Sequence, residues 1–95
     1  LLALEAAGFC ARGEGMAFLR EHDMTWNGDF PINTNGGQLG YGQTQLAGGM
    51  GHVVEAARQL MRRADDRQVA RPERAFVMGN GGIMSEQVAL VLQSD

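Results

Sequence analysis

The chain has 95 residues, a formal net charge of -3 and one cysteine. This length allows one domain at most, and mild acidity with eight scattered Lys and Arg residues argues against a surface that follows nucleic-acid phosphates. No stretch approaches the roughly 20 consecutive apolar residues that span a bilayer, and one cysteine cannot form an internal disulfide. We therefore expect a cytoplasmic protein with neither a membrane span nor a nucleic-acid partner.

The first third of the chain predicts one helix followed by an irregular excursion. Leu1 to Ala7 is helix-like, and Gly8 is a natural stop because glycine tolerates the left-handed conformation that ends helices. Because these residues read as the last turns of a helix, we expect the start of the domain to be absent. Short strands are predicted at Met16 to Leu19 and at Phe30 to Thr34.

The clearest predicted element is a helix that begins at Gly48 or Gly49 and runs for about four turns. Its apolar residues recur at helical spacing and its charged residues, Glu55 among them, occupy other faces, so one side should pack. A polar loop follows. Residues 74–79 and 86–93 then predict adjacent strands joined by a glycine-rich turn at 79–83. A strand, a crossover helix and returning strands indicate the α/β class.

Two glycine-rich runs carry most of the functional information. They are "NTNGGQLGYGQTQLAGGMGH" at residues 33–52 and "VMGNGGIMS" at residues 77–85. Either run could be a tight bend and nothing more. Phosphate binding is a poorer fit, because the first run lacks the Lys of a P-loop and the spacing of a dinucleotide-binding turn.

Three segments, in order, resemble the C-terminal half of the thiolase superfamily. "GFCARGEGMAFL" resembles the family segment GFC-x-x-GEG, and "PINTNGGQLGYGQTQLAGG" resembles the region that opens the last long helix. "VMGNGGIMSEQVALVL" is similar to the C-x-GGG turn between the final two strands. The resemblance implies an α/β fold with a mixed sheet covered by helices. It also implies that residues 1–95 are part of a C-terminal domain, without the N-terminal domain and the nucleophilic cysteine.

The resemblance implies a site built from both glycine runs around a thioester. Gln43 stands where thiolases carry the histidine of GHP, and Asn80 stands where they carry the acid/base cysteine. An amide can donate a hydrogen bond to an oxyanion but takes no proton at neutral pH. Tyr41 could serve as a base if its pKa were lowered, although an aromatic side chain in such a turn also packs as a wall. Expected substrate-binding residues are Gly42, Gly81, Gly82 and Asn35.

The missing titrating groups make an ordinary thiolase reaction unexpected. The chain more closely resembles the divergent branch that includes lipid-transfer-type proteins, whose members cleave carbon-carbon bonds by retro-aldol chemistry or transfer acyl groups. The alternatives are an acyltransferase with a cysteine in the absent half and a non-catalytic thiolase-like subunit. The resemblance implies coenzyme A as part of an acyl-CoA substrate, no covalently bound cofactor and no metal. It further implies a homodimer, an OB-fold and zinc-ribbon partner protein, and an inactive isolated chain.

Four other features carry side chains capable of chemistry. His52 in the first turn of the long helix is expected to be neutral and partly exposed, and His22 is expected to be solvated. Cys10 is expected to be a small buried apolar group. The row of Arg58, Arg62 and Arg63 is expected to be a solvated helix face.

Overall fold

The computed structural model describes all residues from Leu1 to Asp95. It contains four α-helices and one β-hairpin: α1 (Leu2–Ala6), α2 (Gly15–Glu21), α3 (Gly37–Tyr41), α4 (Met50–Leu60), β1 (Arg74–Gly81) and β2 (Glu86–Gln93). Short 3-10 helices occupy Gln45–Ala47 and Asp65–Arg67. The longest helix, α4, has 11 residues, and no helix has both the length and the apolar character needed to cross a bilayer.

The C-terminal hairpin confirms the two predicted strands. β1 and β2 pair antiparallel from Arg74 opposite Gln93 to Gly81 opposite Glu86. The connecting turn occupies residues 82–85, slightly later than predicted, and both Gly82 (φ 60°) and Met84 (φ 58°) have left-handed backbones. α4 packs against both strands. Helices packed on a sheet agree with the predicted α/β class, and the sheet within this chain consists of this antiparallel pair.

The strand predicted at Met16 to Leu19 is wrong, because these residues lie in α2. The Gly15 amide at the start of α2 donates to Glu5 Oε1 at 3.0 Å, and a carboxylate is favourable at a helix N-terminus. The Phe18 ring packs edge-to-face on Phe30, with centroids 5.0 Å apart. Tertiary contacts therefore override the strand signal.

The strand predicted at Phe30 to Thr34 is also wrong. The Phe30 amide donates to the Asp23 carbonyl at 3.1 Å, and the Ile32 amide donates to the Met24 carbonyl at 3.1 Å. These bonds return the chain onto the preceding loop, and Asn33 then turns with φ at 50°. The segment lacks a partner strand, so the expected crossover between strands does not occur within this chain.

α4 confirms the predicted long helix but differs in its buried face. It starts one residue after Gly49 and has 11 residues, which is about three turns rather than four. Ala56 is buried, and so are the polar residues Glu55 and Gln59. The placement of Glu55 on an outer face was therefore wrong. The expected stop of α1 at Gly8 agrees with its φ of 81°.

An aromatic cluster joins the N-terminal segment to the hairpin. Phe9 packs edge-to-face on Phe30 and on Phe76, with centroids 5.2 Å and 5.4 Å apart. Such pairs contribute about 0.5–1.5 kcal/mol each beyond area burial. Val77, the next residue of β1, is buried and points to the opposite face of the strand.

We expect the isolated 95-residue chain to unfold without a sharp transition. Its buried apolar side chains are those of Ala56, Ala64, Pro72 and Val77, and no large side chain is fully buried. β2 is exposed at seven of its eight residues. Such a small core provides little against the conformational entropy of folding. Calorimetry of the purified chain checks this, and a cooperative high-temperature melt of the monomer would contradict it.

Candidate active site

The first part of the candidate site is the turn from Asn33 to Gly37, which opens the glycine-rich segment. The Gly36 amide donates to the Asn33 carbonyl at 2.7 Å, and the Gly37 amide donates to Asn35 Oδ1 at 3.0 Å. Gly36 and Gly37 have φ values of 93° and 62°, which favour glycine. Asn35, an expected substrate-binding residue, is half-buried. Its side-chain oxygen stabilises this turn by accepting the bond from Gly37.

The second part is the segment between α3 and α4. Tyr41 ends α3 and is 61% exposed, and Gly42 follows with φ at 122°. Gln43 is exposed, and its amide lies over Gly48 so closely that a β-carbon at position 48 would overlap Gln43 Oε1. The missing side chain of the buried Gly48 therefore makes room for the Gln43 amide.

The third part is the closed end of the hairpin. Asn80 lies on β1 opposite Gln87 and is exposed. A shallow cleft of about 300 Å³ surrounds it, lined by Gly79, Asn80, Gly81, Glu86, Gln87 and Val88. The neighbouring Gly82 has φ at 60°, and a β-carbon there would lie 2.5 Å from Ser85 Oγ. The absence of a side chain at Gly82 therefore makes room for Ser85 in this turn.

The structure brings only some of the expected site residues together. Asn80 and Gly81 line one cleft, and Gly82 follows them in the turn. Tyr41, Gly42 and Gln43 lie on the segment before α4 and do not line this cleft. The convergence of the two glycine-rich segments on one thioester therefore stays a prediction.

A buried carboxylate lies behind the first glycine-rich segment. The Glu55 side chain is 8% exposed and pairs with Arg67. The guanidinium donates from Nε to Glu55 Oε1 at 2.9 Å and from Nη2 to Oε2 at 2.8 Å. Glu55 Oε1 also accepts from Thr34 Oγ1 at 2.7 Å and from Gln59 Nε2 at 3.1 Å. This arrangement, which we call the Glu55 network, joins α4 to the turn at residues 33–37 and to the loop after α4.

The charge of the Glu55 network is set by its hydrogen bonds. Burial alone would raise the pKa of the Glu55 carboxyl, but hydrogen bonds from Arg67, Thr34 and Gln59 outweigh it and hold the pKa below its ordinary value. The same bond to Glu55 raises the pKa of Arg67. Both groups are therefore charged at neutral pH, which satisfies the rule that buried charges are paired.

Sequence reasoning missed the Glu55 network. Thr34, Gln59 and Arg67 were not singled out, although Glu55 and Gln59 lie four residues apart and so share one face of a helix. Ala56, which is buried beside them, was also not among the expected packing residues. A Glu and Gln pair at this spacing, with an Arg-Gln dipeptide shortly after the helix, is the signal that could have found it.

The other candidates take mostly structural places. His22 is not simply solvated, because its Nδ1 lies 2.6 Å from Asp29 Oδ2 and its ring packs on Phe18 with centroids 4.3 Å apart. Cys10 is half-buried rather than buried. Burial, with Glu5 and Glu14 nearby, raises the pKa of its thiol, which disfavours a nucleophilic thiolate.

The remaining charged candidates lie on or just beyond α4. His52 is half-buried, and the three arginines expected to form a solvated face are all exposed: Arg58, Arg62 and Arg63. No group of three or more His, Cys, Asp or Glu side chains is arranged to hold a metal ion.

Comparison with known proteins defines the class of the chain. The model of the family described as thiolase C-terminal domain-like matches residues 1–94. The chain therefore belongs to this family, as the three quoted segments predicted. The family match also confirms the expected fold class.

Individual relatives include a CoA lyase, a side-chain-cleaving aldolase and a thiolase subunit. The 17-hydroxy-3-oxo-4-pregnene-20-carboxyl-CoA lyase of Mycobacterium tuberculosis is 36% identical over 95% of this chain and 22% of its own length. The steroid side-chain-cleaving aldolase of Thermomonospora curvata is 35% identical over 97% of this chain and 22% of its own. The benzoylsuccinyl-CoA thiolase subunit BbsB of Thauera aromatica is 33% identical over 73% of this chain and 18% of its own.

The chain thus spans about a fifth of the length of the curated relatives it matches. No solved structure matches it significantly.

Proposed function

We propose that the natural polypeptide carrying this chain acts on an acyl-CoA thioester and cleaves or forms a carbon-carbon bond, with retro-aldol cleavage as the favoured reaction. The observation that carries the proposal is the presence of amides, Gln43 and Asn80, at two exposed positions flanked by bare backbone. Similarity to a CoA lyase and to a side-chain-cleaving aldolase also supports a cleavage reaction. Coenzyme A enters as part of the substrate.

The proposed cleavage needs a base and an oxyanion site but no covalent nucleophile. A base removes the proton of the β-hydroxyl group, and the electron pair of that oxygen forms a carbonyl at the β-carbon. The bond between the α- and β-carbons breaks, and its electrons pass into the thioester as an enolate. The enolate then takes a proton at the α-carbon, which yields a shortened acyl-CoA and an aldehyde or ketone.

Gln43 and Asn80 fit the role of oxyanion donors. Each carries a carboxamide whose N–H groups can donate to the enolate oxygen. Losing one such donor raises a barrier by about 3–4 kcal/mol in well-studied enzymes. The glycines beside them allow the backbone to approach the thioester as closely as the donors require. The proposed substrate-binding residues are accordingly Gly42, Gly81, Gly82 and Asn35.

Acyl transfer is the second candidate function. It would use a cysteine nucleophile outside this chain, and the similarity to a thiolase subunit favours it. A non-catalytic thiolase-like subunit is the further alternative, because Gln43 and Asn80 do not titrate. In each case we propose a cytoplasmic homodimer that can associate with an OB-fold and zinc-ribbon partner.

The test is an assay of the natural polypeptide with β-hydroxyacyl-CoA substrates. Retro-aldol chemistry predicts equal amounts of the shortened acyl-CoA and of the carbonyl product, with no acyl group on the protein by mass spectrometry. A stable acyl adduct on a cysteine would favour acyl transfer instead. Absence of both, in a folded protein, would favour the non-catalytic subunit.

Tyr41→Phe tests the proposed base. If the phenol removes the hydroxyl proton, this variant should lose cleavage, because a positioned base contributes about 100- to 10,000-fold. The measurement is the rate of carbonyl release as a function of pH between about pH 6 and about pH 10. An unchanged rate and an unchanged pH profile would remove Tyr41 from this role and leave it as a wall of the site.

A further inference from the structure

The loop after α4 is attached to the helix by hydrogen bonds that do not involve Glu55. Gln59 makes two of them, because its Nε2 donates to the Arg67 carbonyl at 2.8 Å and its Oε1 accepts from the Val69 amide at 2.9 Å. Gln68 adds a third tie through Nε2 to the Gln59 carbonyl at 3.0 Å. The hydrogen bond from Thr34 to Glu55 does not contact this loop and instead attaches the turn at residues 33–37 to α4.

Thr34 is held in one orientation by the charge of Glu55. An ionised carboxylate only accepts, so the Thr34 hydroxyl proton must point to Glu55 Oε1, 2.7 Å away. Gln59 Nε2 also lies 3.2 Å from the Thr34 hydroxyl oxygen. One of its two hydrogens goes to the Arg67 carbonyl at 2.8 Å, so the other is shared between Thr34 and Glu55 Oε1. Because Arg67 donates hydrogen bonds to both carboxylate oxygens of Glu55, the carboxylate plane is fixed as well. A bond of fixed polarity from Thr34 to Glu55 thus anchors a residue that precedes Asn35 directly.

The anchored residue lies inside the turn that opens the glycine-rich segment. Asn33 has a left-handed backbone, and a β-carbon on Gly37 would lie 3.1 Å from Asn33 Nδ2. Gly36 and Gly37 have more conformational freedom than other residues, so a side-chain contact is needed to restrict this turn. The Thr34 anchor is the one tie that links the turn to a buried charge.

We propose that Glu55, oriented by Arg67, is a positioning residue that holds the turn at residues 33–37 through Thr34. By holding this turn, Glu55 also sets the direction in which the following segment, with Tyr41 and Gln43, leaves it. The catalytic part of this inference rests on the proposed function. The anchoring part rests on the geometry alone. A small misplacement of reacting groups costs as much as about a hundredfold in rate, so the anchor should affect turnover without touching substrate.

The test compares Thr34→Val, which keeps the shape and removes the hydroxyl, with Thr34→Ser, which keeps the hydroxyl. In the natural polypeptide we expect Thr34→Val to speed amide exchange of Gly36 and Gly37 about tenfold, since one charge-assisted bond is lost. The kcat should fall about tenfold while KM stays within about twofold. Thr34→Ser should restore both.

Two controls keep the outcome decisive. Exchange within α4 must stay unchanged, which shows that Thr34→Val is folded. Thr44→Val removes an exposed hydroxyl from the same glycine-rich segment and should behave like the unsubstituted protein.

Unchanged exchange at Gly36 and Gly37 in Thr34→Val overturns the anchor. Faster exchange with an unchanged kcat overturns the positioning role. An unsubstituted protein that is inactive on the thioester refutes the proposed function and the catalytic part of this inference, while the exchange result still decides the anchoring.

Discussion

Replacing Gln43 by alanine should lower the turnover of the natural polypeptide by about a hundredfold or more, the loss seen when an oxyanion donor is removed. The effect should fall on kcat more than on KM, because the donor meets full charge only when the enolate forms. The measurement is steady-state cleavage of a β-hydroxyacyl-CoA. The exposed Gln43 amide lies over Gly48, so its loss leaves no buried group unpaired and should not unfold the protein.

Two variants make this result specific. Gln43→Glu keeps the length of the side chain but presents an anion that cannot donate at neutral pH, and it should lose at least as much turnover as alanine. Gln38→Ala, on the half-buried face of α3, removes a similar amide from the same segment and should retain turnover. Full turnover in a folded Gln43→Ala variant would exclude Gln43 from the mechanism.

In the natural polypeptide, replacing Arg67 by alanine should lower the free energy of unfolding by about 2–3 kcal/mol at neutral pH. Removing one member of a fully buried pair costs about 3–5 kcal/mol, and the smaller value reflects the 29% exposure of Arg67. The Glu55 carboxylate would remain buried with only neutral donors. Urea unfolding with an unchanged slope measures the loss.

The pH dependence of the Arg67 effect separates charge from packing. The folded pKa of Glu55 is below its ordinary value, so the pair stabilises the fold above the unfolded pKa and loses that contribution as pH falls through the folded pKa. The difference between Arg67→Ala and the unsubstituted protein should therefore shrink below about pH 4.

Arg62→Ala is the matched control for Arg67→Ala. Arg62 donates only to the Ala70 carbonyl, at 3.4 Å, and its loss should change stability by no more than about 0.5 kcal/mol. Equal losses for both arginines, or a loss for Arg67→Ala that does not depend on pH, would contradict a charged anchor.

Local sequence signals predicted the elements whose stability is local in origin. The periodic apolar residues of α4 and the Val-rich strands of the hairpin are examples, and both occur within a few residues of the expected bounds. Residues 16–19 and 30–34 were mispredicted because contacts decide them. α2 depends on Glu5 at its start and on the Phe18 ring against Phe30, and neither partner is a sequence neighbour.

Candidate site residues were predicted only where a family motif marks them. Gln43 and Asn80 came from motif positions, and their donor roles stay a prediction. The burial of Glu55 was not predicted, because hydropathy assigns a carboxylate to solvent and its burial depends on Arg67, 12 residues away. Whether such a charge is buried depends on partners that folding brings together, and hydrophobic periodicity does not identify these partners.

The bond between Thr34 and Glu55 spans 21 positions of sequence, so it closes a ring of chain around the whole glycine-rich segment. Closure entropy grows slowly with ring size, by about 0.6 kcal/mol for each doubling of length. Insertions or deletions outside the helices of this ring should therefore cost little stability. Under the proposed function, such changes would alter how far the segment carrying Tyr41 and Gln43 reaches toward the acyl group, while the bond between Thr34 and Glu55 stays in place.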